Sequence, residues 1–289
     1  MKIICNYSYN NKRLESPDTS SYKQSKLVGD TFVKNHNFSA ESISFEAVTV
    51  SHPAEAILDG LNSMNIAVYN SLAEQQRACL RGYSPFNQAQ MANIIDLQGL
   101  LQRELEKRFP QGYTLAAVGR SPAVFSPIFE AKGIAAKSVP ISGMSGIKNA
   151  AEKIPDEGVL EYGKYLMQQG ISRDVAESSC KPFVFVDYTR SGLSLENFKR
   201  ILARANLGLE EGKSAFFIRL NDVFSGQIAE SILTDLFYYE GIKKLSPIPT
   251  LPYMEIALVE ERMRNFPPSR ISKSFLFHVI DYLEQSKQA

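Results

Sequence analysis

Short apolar runs alternate with helix-periodic stretches between Tyr113 and Leu220, and that alternation limits the fold more than any other feature of the chain. Tyr113 to Val118 reads as a strand, Gly119-Arg120-Ser121-Pro122 as a turn, and Ala123 to Ala131 as a helix closed by Lys132-Gly133. Ile134 to Ile141 predicts a second strand. A Gly/Ser-bearing connection over 142–156 leads to a helix from Gly158 to Gln169, stopped by Gly170. Phe183 to Val186 predicts the third strand, Leu195 to Asn206 a helix, and Ser214 to Leu220 the fourth strand. This order predicts an α/β protein with a twisted, mainly parallel sheet flanked by helices. Such sheets bind ligands beyond the carboxyl ends of their strands. Gly119 and Asp187 each follow a strand directly, so both are expected at that edge.

The third strand carries the strongest chemical signal. Phe183-Val184-Phe185-Val186 stops abruptly at Asp187. A polar turn follows with Thr189, Arg190, Ser191, Gly192, Leu193 and Ser194, and then a helix whose face is Leu195, Phe198, Ile201 and Leu202. A strand, a hydroxyl-and-glycine turn and a helix N-terminus together favour a phosphate. The free amides of the first helical turn point at the anion, and the helix dipole favours its charge. Gly192 permits close backbone approach, and the hydroxyls add donors.

This segment resembles the sugar-phosphate signature of the type I phosphoribosyltransferases, in which an apolar strand runs into two acidic residues and a Ser/Thr-rich turn through glycine. Aligned on Gly192, Asp187 takes the second acidic position and Val186 stands where the first would be. The resemblance covers roughly residues 113–222. It implies a phosphoribosyltransferase-like core with Asp187 as the catalytic acid near the ribose. Thr189, Arg190, Ser191, Gly192, Leu193 and Ser194 would hold the phosphate, and Gly119, Arg120 and Ser121 the pyrophosphate. It also implies Mg²⁺ in a catalytic member, and a mobile lid over Ser138 to Lys148. A carboxylate restored at position 186 would be expected to strengthen ribose binding. Each residue has a plainer structural reading too: Asp187 as a turn or cap residue, the hydroxyls in local turn bonding, Arg120 in solvent.

Outside this core the chain divides into three further parts. Residues 1–45 are rich in Ser, Asn, Tyr and Lys with poor apolar periodicity, and are expected to be mostly disordered. Their composition also resembles the uncleaved signals of type III secreted effectors. Residues 46–112 are expected to be helical, with one helix starting at a Ser51 cap and another from about Asn87 to Phe109 bearing Ile94, Leu97, Leu101 and Leu105 on one face. Residues 223–289 read as a helical subdomain. Ile228, Ile232, Leu233, Leu236 and Phe237 form one apolar face, Met254, Ala257, Leu258 and Glu261 a second, and Phe275, Val279 and Tyr282 a third.

Composition removes several function classes. A formal net charge of +1 gives no global footprint for nucleic acid. No apolar run approaches the roughly 20 residues that span a bilayer, and Met1 to Tyr9 lacks an apolar signal core. Cys5, Cys79 and Cys180 are odd in number and widely spaced, which argues for a reducing compartment and against a disulfide framework or zinc site. No Walker loop, dinucleotide glycine fingerprint or nucleophile elbow is present. The resemblance implies phosphoribosyl pyrophosphate or a nucleotide as the partner; the composition gives no sign of nucleic acid or membrane, and a homodimer is one expected assembly. The expected location is the cytoplasm, with secretion without a cleaved signal as the alternative. Two functions remain open: transfer at the anomeric carbon of a phosphorylated ribose, and a non-catalytic sensor or interaction protein on the same scaffold.

Overall fold

The computed structural model describes residues 52–61, 66–83, 88–144, 146–189, 191–224, 251–259 and 270–286. The segment 1–45, the Ser51 cap, Arg190, the apolar face from Ile228 to Phe237 and Glu261 lie outside them. The described chain begins with α1 (Pro53–Gly60), α2 (Ile66–Ser71), α3 (Glu74–Gly82) and α4 (Gln88–Arg108). Then come β1 (Thr114–Val118), α5 (Ser126–Ala131), β2 (Ala136–Val139), α6 (Asp156–Gln168), α7 (Arg173–Ser179) and β3 (Phe183–Asp187). They are followed by α8 (Leu193–Arg204), β4 (Ala215–Arg219), α9 (Leu220–Val223) and α10 (Arg270–Ser286). Short 3₁₀ turns occupy Pro122–Val124, Ala150–Lys153 and Tyr253–Leu258.

The four described strands form one sheet in the order β2-β1-β3-β4, and every pairing is parallel. The protein is thus α/β with a parallel sheet between helices. Strand alternation assigns the two faces. Leu115, Ala117, Val184 and Val186 meet Leu97 and Leu101 of α4, Ile128 of α5, and Phe275 and Val279 of α10. Ala116, Val118, Phe183 and Phe185 meet Val159, Tyr162 and Leu166 of α6 and Leu195, Phe198 and Ile201 of α8. Burial on both faces explains why β1 and β3 read as unbroken apolar runs rather than alternating ones.

The helices at either end of the chain are part of this core. α4 and α10 supply one covering layer of the sheet. α10 also closes a smaller apolar cluster with α1, α2 and α3, through Phe277 and Ile280 against Ala54, Leu58, Tyr69 and Leu80. The α1 cap is His52, whose Nδ1 accepts from the Ala54 amide at 3.2 Å. α7 escapes sequence reading because it has almost no apolar face: within Arg-Asp-Val-Ala-Glu-Ser-Ser only Ala176 is buried. Its start is set by Ser172, whose hydroxyl accepts from Val175 N at 3.4 Å. No described helix is long and apolar enough to cross a membrane.

Candidate functional site

The strand order marks where a parallel sheet of this kind would place a ligand. From β1 the chain steps outward to β2 on one side, while β3 and β4 continue on the other. The chain leaves β1 toward α5, on one face of the sheet, and leaves β3 toward α8, on the opposite face. Two neighbouring parallel strands whose exits diverge leave a gap between their carboxyl ends. Gly119 and Tyr188 are the first residues past β1 and β3, so both candidate turns border that gap.

The two glycines there are required for different reasons. Gly119 has φ +81°, and an added Cβ would stand 2.9 Å from the Ile141 carbonyl oxygen. Its amide donates to the Val139 carbonyl at 2.9 Å, so the turn is bonded to the end of β2. Gly192 is the N-cap of α8 with φ 76° and ψ −10°. There an added Cβ would meet only Arg219, with Cδ at 3.6 Å and Nη1 at 3.7 Å. Gly119→Ala is therefore expected to cost roughly 2 kcal/mol in urea unfolding, from left-handed strain plus a backbone clash. Gly192→Ala is expected to cost about 1 kcal/mol, from the backbone conformation alone. Equal losses would contradict the clash at Gly119.

Asp187 ends β3 and is 7% exposed. Burial pushes its carboxyl up to about 6, against the opposing pull of hydrogen bonds from the Ser194 hydroxyl and the Tyr188 amide. A carboxyl poised near neutrality at a strand end can accept or give a proton under mild conditions. Val186, one residue earlier, is fully buried on the opposite face among apolar side chains. The expectation that a carboxylate there would strengthen ribose binding fails on this geometry: it would enter the core.

The hydroxyls of the turn are used unequally. Ser194 bonds Asp187, and Ser191 Oγ accepts from Leu193 N at 3.3 Å, closing a local turn at the start of α8. Thr189 is 4% exposed, and its Oγ1 is buried without a hydrogen-bond partner. Its amide donates to Asn221 Oδ1 of α9 at 3.1 Å, so the turn after β3 is tied to the element after β4. Tyr188 packs against the apolar layer on the α4 side. Beyond β1, Arg120 is exposed and Ser121 half-buried.

The connection expected to form a lid is fastened instead. Ser142 N donates to the Leu251 carbonyl at 2.6 Å, and Tyr253 N donates to the Ser142 carbonyl at 2.8 Å. Asn197 of α8, 1% exposed, donates through Nδ2 to the carbonyls of Met144 at 3.2 Å and Ile147 at 2.9 Å. Asn197 was missed from sequence, although a polar residue four positions before Ile201 on a buried helix face was a readable signal. Asn221 and Arg219 carried no local signal, since only strand pairing brings them to the turn.

Comparison with protein-family models, with curated proteins and with solved structures finds no match for this chain. Another hollow, of about 330 Å³, opens at the opposite edge of the sheet beside Pro182 and Ser214. Most of its charges pair among themselves, Arg173 with Glu177 and Glu210 and Lys213 with Glu210, and Lys181 also lines it. It lies far from the strand ends where the turn glycines and Asp187 sit.

Proposed function

We propose that the crevice between β1 and β3 binds a phosphorylated ribose, phosphoribosyl pyrophosphate or a nucleotide, on a phosphoribosyltransferase-like core. The observation that carries this reading is the turn from Asp187 to α8. It joins a left-handed glycine cap to a helix N-terminus and to a buried Thr189 hydroxyl that lacks a partner. A phosphate oxygen supplies the acceptor that such a hydroxyl and the first-turn amides of α8 require. The turn after β1, with Gly119, Arg120 and Ser121, is proposed to face the pyrophosphate, and exposed Arg120 offers planar donors for it.

In a transferase, pyrophosphate leaves the anomeric carbon as the acceptor base attacks. Asp187 would then stand near the ribose, where a carboxyl with a pKa of about 6 can accept a hydroxyl hydrogen bond or a proton. Magnesium needs oxygen ligands, and the turn supplies one carboxyl, held toward its protonated form, with Val186 contributing none. These residues do not make a magnesium site by themselves.

Val186 also favours a second reading, a non-catalytic binder on the same scaffold, because the first acid of the pair is replaced by a core residue. Calorimetry of the full chain with ribose 5-phosphate and phosphoribosyl pyrophosphate, followed by pyrophosphate release with a panel of bases, separates the two. Binding with release supports the transferase, and binding without release supports the binder. No heat from either ligand rejects the ribose-phosphate site.

A further inference from the structure

Asn197 lies in the second turn of α8, and its side chain satisfies three backbone groups of the connection that follows β2. Nδ2 donates to the carbonyls of Met144 at 3.2 Å and Ile147 at 2.9 Å, and Oδ1 accepts from the Ala151 amide at 3.3 Å. A primary amide carries donors and an acceptor on one planar group, and this cradle uses both. Two cations of the same helix extend the grip. Arg200 donates through Nη1 to Asn149 Oδ1 at 3.0 Å and to Glu152 Oε1 at 2.7 Å. Arg204 donates to the carbonyls of Ala151 and Ile154, the latter at 2.7 Å. Spacings of three and four place 197, 200 and 204 on one stripe of α8.

The two ends of this grip are the two candidate turns. Sheet pairing holds β1 and β3 to each other only as far as Ala117 and Val186, so the turns beyond are placed by what packs on them. α8 begins at the Gly192 cap, directly after the turn that follows β3. At the other end the Ile141 carbonyl oxygen lies against Gly119, 2.9 Å from where a Cβ would stand, and the Gly119 amide is bonded to Val139 at 2.9 Å. Ile141 and Met144 share one apolar layer with Leu195 and Phe198 of α8. Bonded and packed groups therefore run without a break from the β3 turn, through α8 and Asn197, to the β1 turn. We propose that Asn197 is a positioning residue: it sets the spacing between the turn after β1 and the turn after β3, so that one ligand can engage both. This rests on the ribose-phosphate reading for the identity of that ligand, but not for the spacing itself. On that reading phosphoribosyl pyrophosphate touches both turns, and ribose 5-phosphate only the turn after β3.

The test compares the full chain with Asn197→Ala by hydrogen exchange and by calorimetry, with thermal unfolding as the control on folding. The expected result is faster exchange at Ala151 and at Gly119, with the β3 amides unchanged. Affinity for phosphoribosyl pyrophosphate should fall roughly ten- to a hundredfold, while that for ribose 5-phosphate stays within about twofold of wild type. A residue that only props the fold would leave Gly119 unchanged and would weaken both ligands alike or neither. That result overturns the proposal and leaves the ribose-phosphate site standing. If wild type binds neither ligand, the ribose reading falls and exchange at Gly119 decides the spacing: faster exchange in the variant supports it, and unchanged exchange overturns it. Arg200→Gln, at a side chain 41% exposed, loosens Asn149 without opening a buried space, and serves if Asn197→Ala does not fold. It should show the same selective loss of phosphoribosyl pyrophosphate affinity; an equal loss for both ligands, or none, overturns the proposal there too.

Discussion

Val186→Asp is expected to destabilise the protein by about 4 kcal/mol or more at pH 7. The estimate comes from the shift of three or more pKa units that full burial imposes on a carboxyl. Val186 is fully buried against the apolar layer built by α4, α5 and α10. A loss of this size is a large part of the stability of an ordinary domain. Because burial raises the new carboxyl's pKa, the folded variant binds its proton more tightly than the unfolded chain does. Part of the lost stability should therefore return as pH falls toward 4. Urea unfolding followed by circular dichroism at pH 7 and pH 4.5 reads both effects. A variant as stable as wild type at pH 7 would show that position 186 opens to the crevice after all, and would restore it as a place for an acid.

Asp187→Asn, one residue further along, is expected to act in the opposite direction. The Asp187 carboxyl is raised from 3.8 to about 6 by burial. Between those two values the folded state holds a proton that the unfolded state has released. Stability therefore falls as pH rises through about 4 to 6, by up to about 3 kcal/mol from this residue. Asparagine cannot ionise, and its oxygen can still accept from the Ser194 hydroxyl and the Tyr188 amide. The variant should be more stable than wild type at pH 7 by up to about 3 kcal/mol, and the two should converge below pH 4. The difference between their stability curves isolates Asp187 from every other titrating group. A constant difference from pH 4 to 7, or a less stable variant at pH 7, contradicts the raised carboxyl. A gain in stability joined to a loss of ribose 5-phosphate binding would mark Asp187 as a residue kept for function at a cost in stability.

The contrast between these neighbours shows how far local sequence reaches. The pattern Phe-Val-Phe-Val-Asp predicts a buried strand that ends at an acid, and the structure has that strand over Phe183–Asp187. Aligning the acid pair on the sequence treats positions 186 and 187 as equivalent. In a strand they point to opposite faces, and at Val186 that face is a layer of α4 and α10, whose residues lie some 80 positions away in either direction. The same limit explains Arg219 and Asn221. Their places beside the turn come from parallel pairing of β4 with β3, which no short-range pattern encodes.

The sequence alone determined the α/β class, the four strands with their approximate ends, the helices with a strong apolar period, and the turn from Asp187 to Ser194 that leads into α8. These follow from side-chain periodicity and from glycine and proline punctuation, which act over a few residues. Tertiary structure alone decided the order β2-β1-β3-β4, and with it the point between β1 and β3 where the chain exits diverge. It also decided the burial that raises Asp187, the fastening of the loop at Ser142 and Met144 by Leu251, Tyr253 and Asn197, and the placement of Arg219 beside Gly192. Each of these depends on which distant segment arrives at a given face, and that is set by the packing of the whole core rather than by the residues next door.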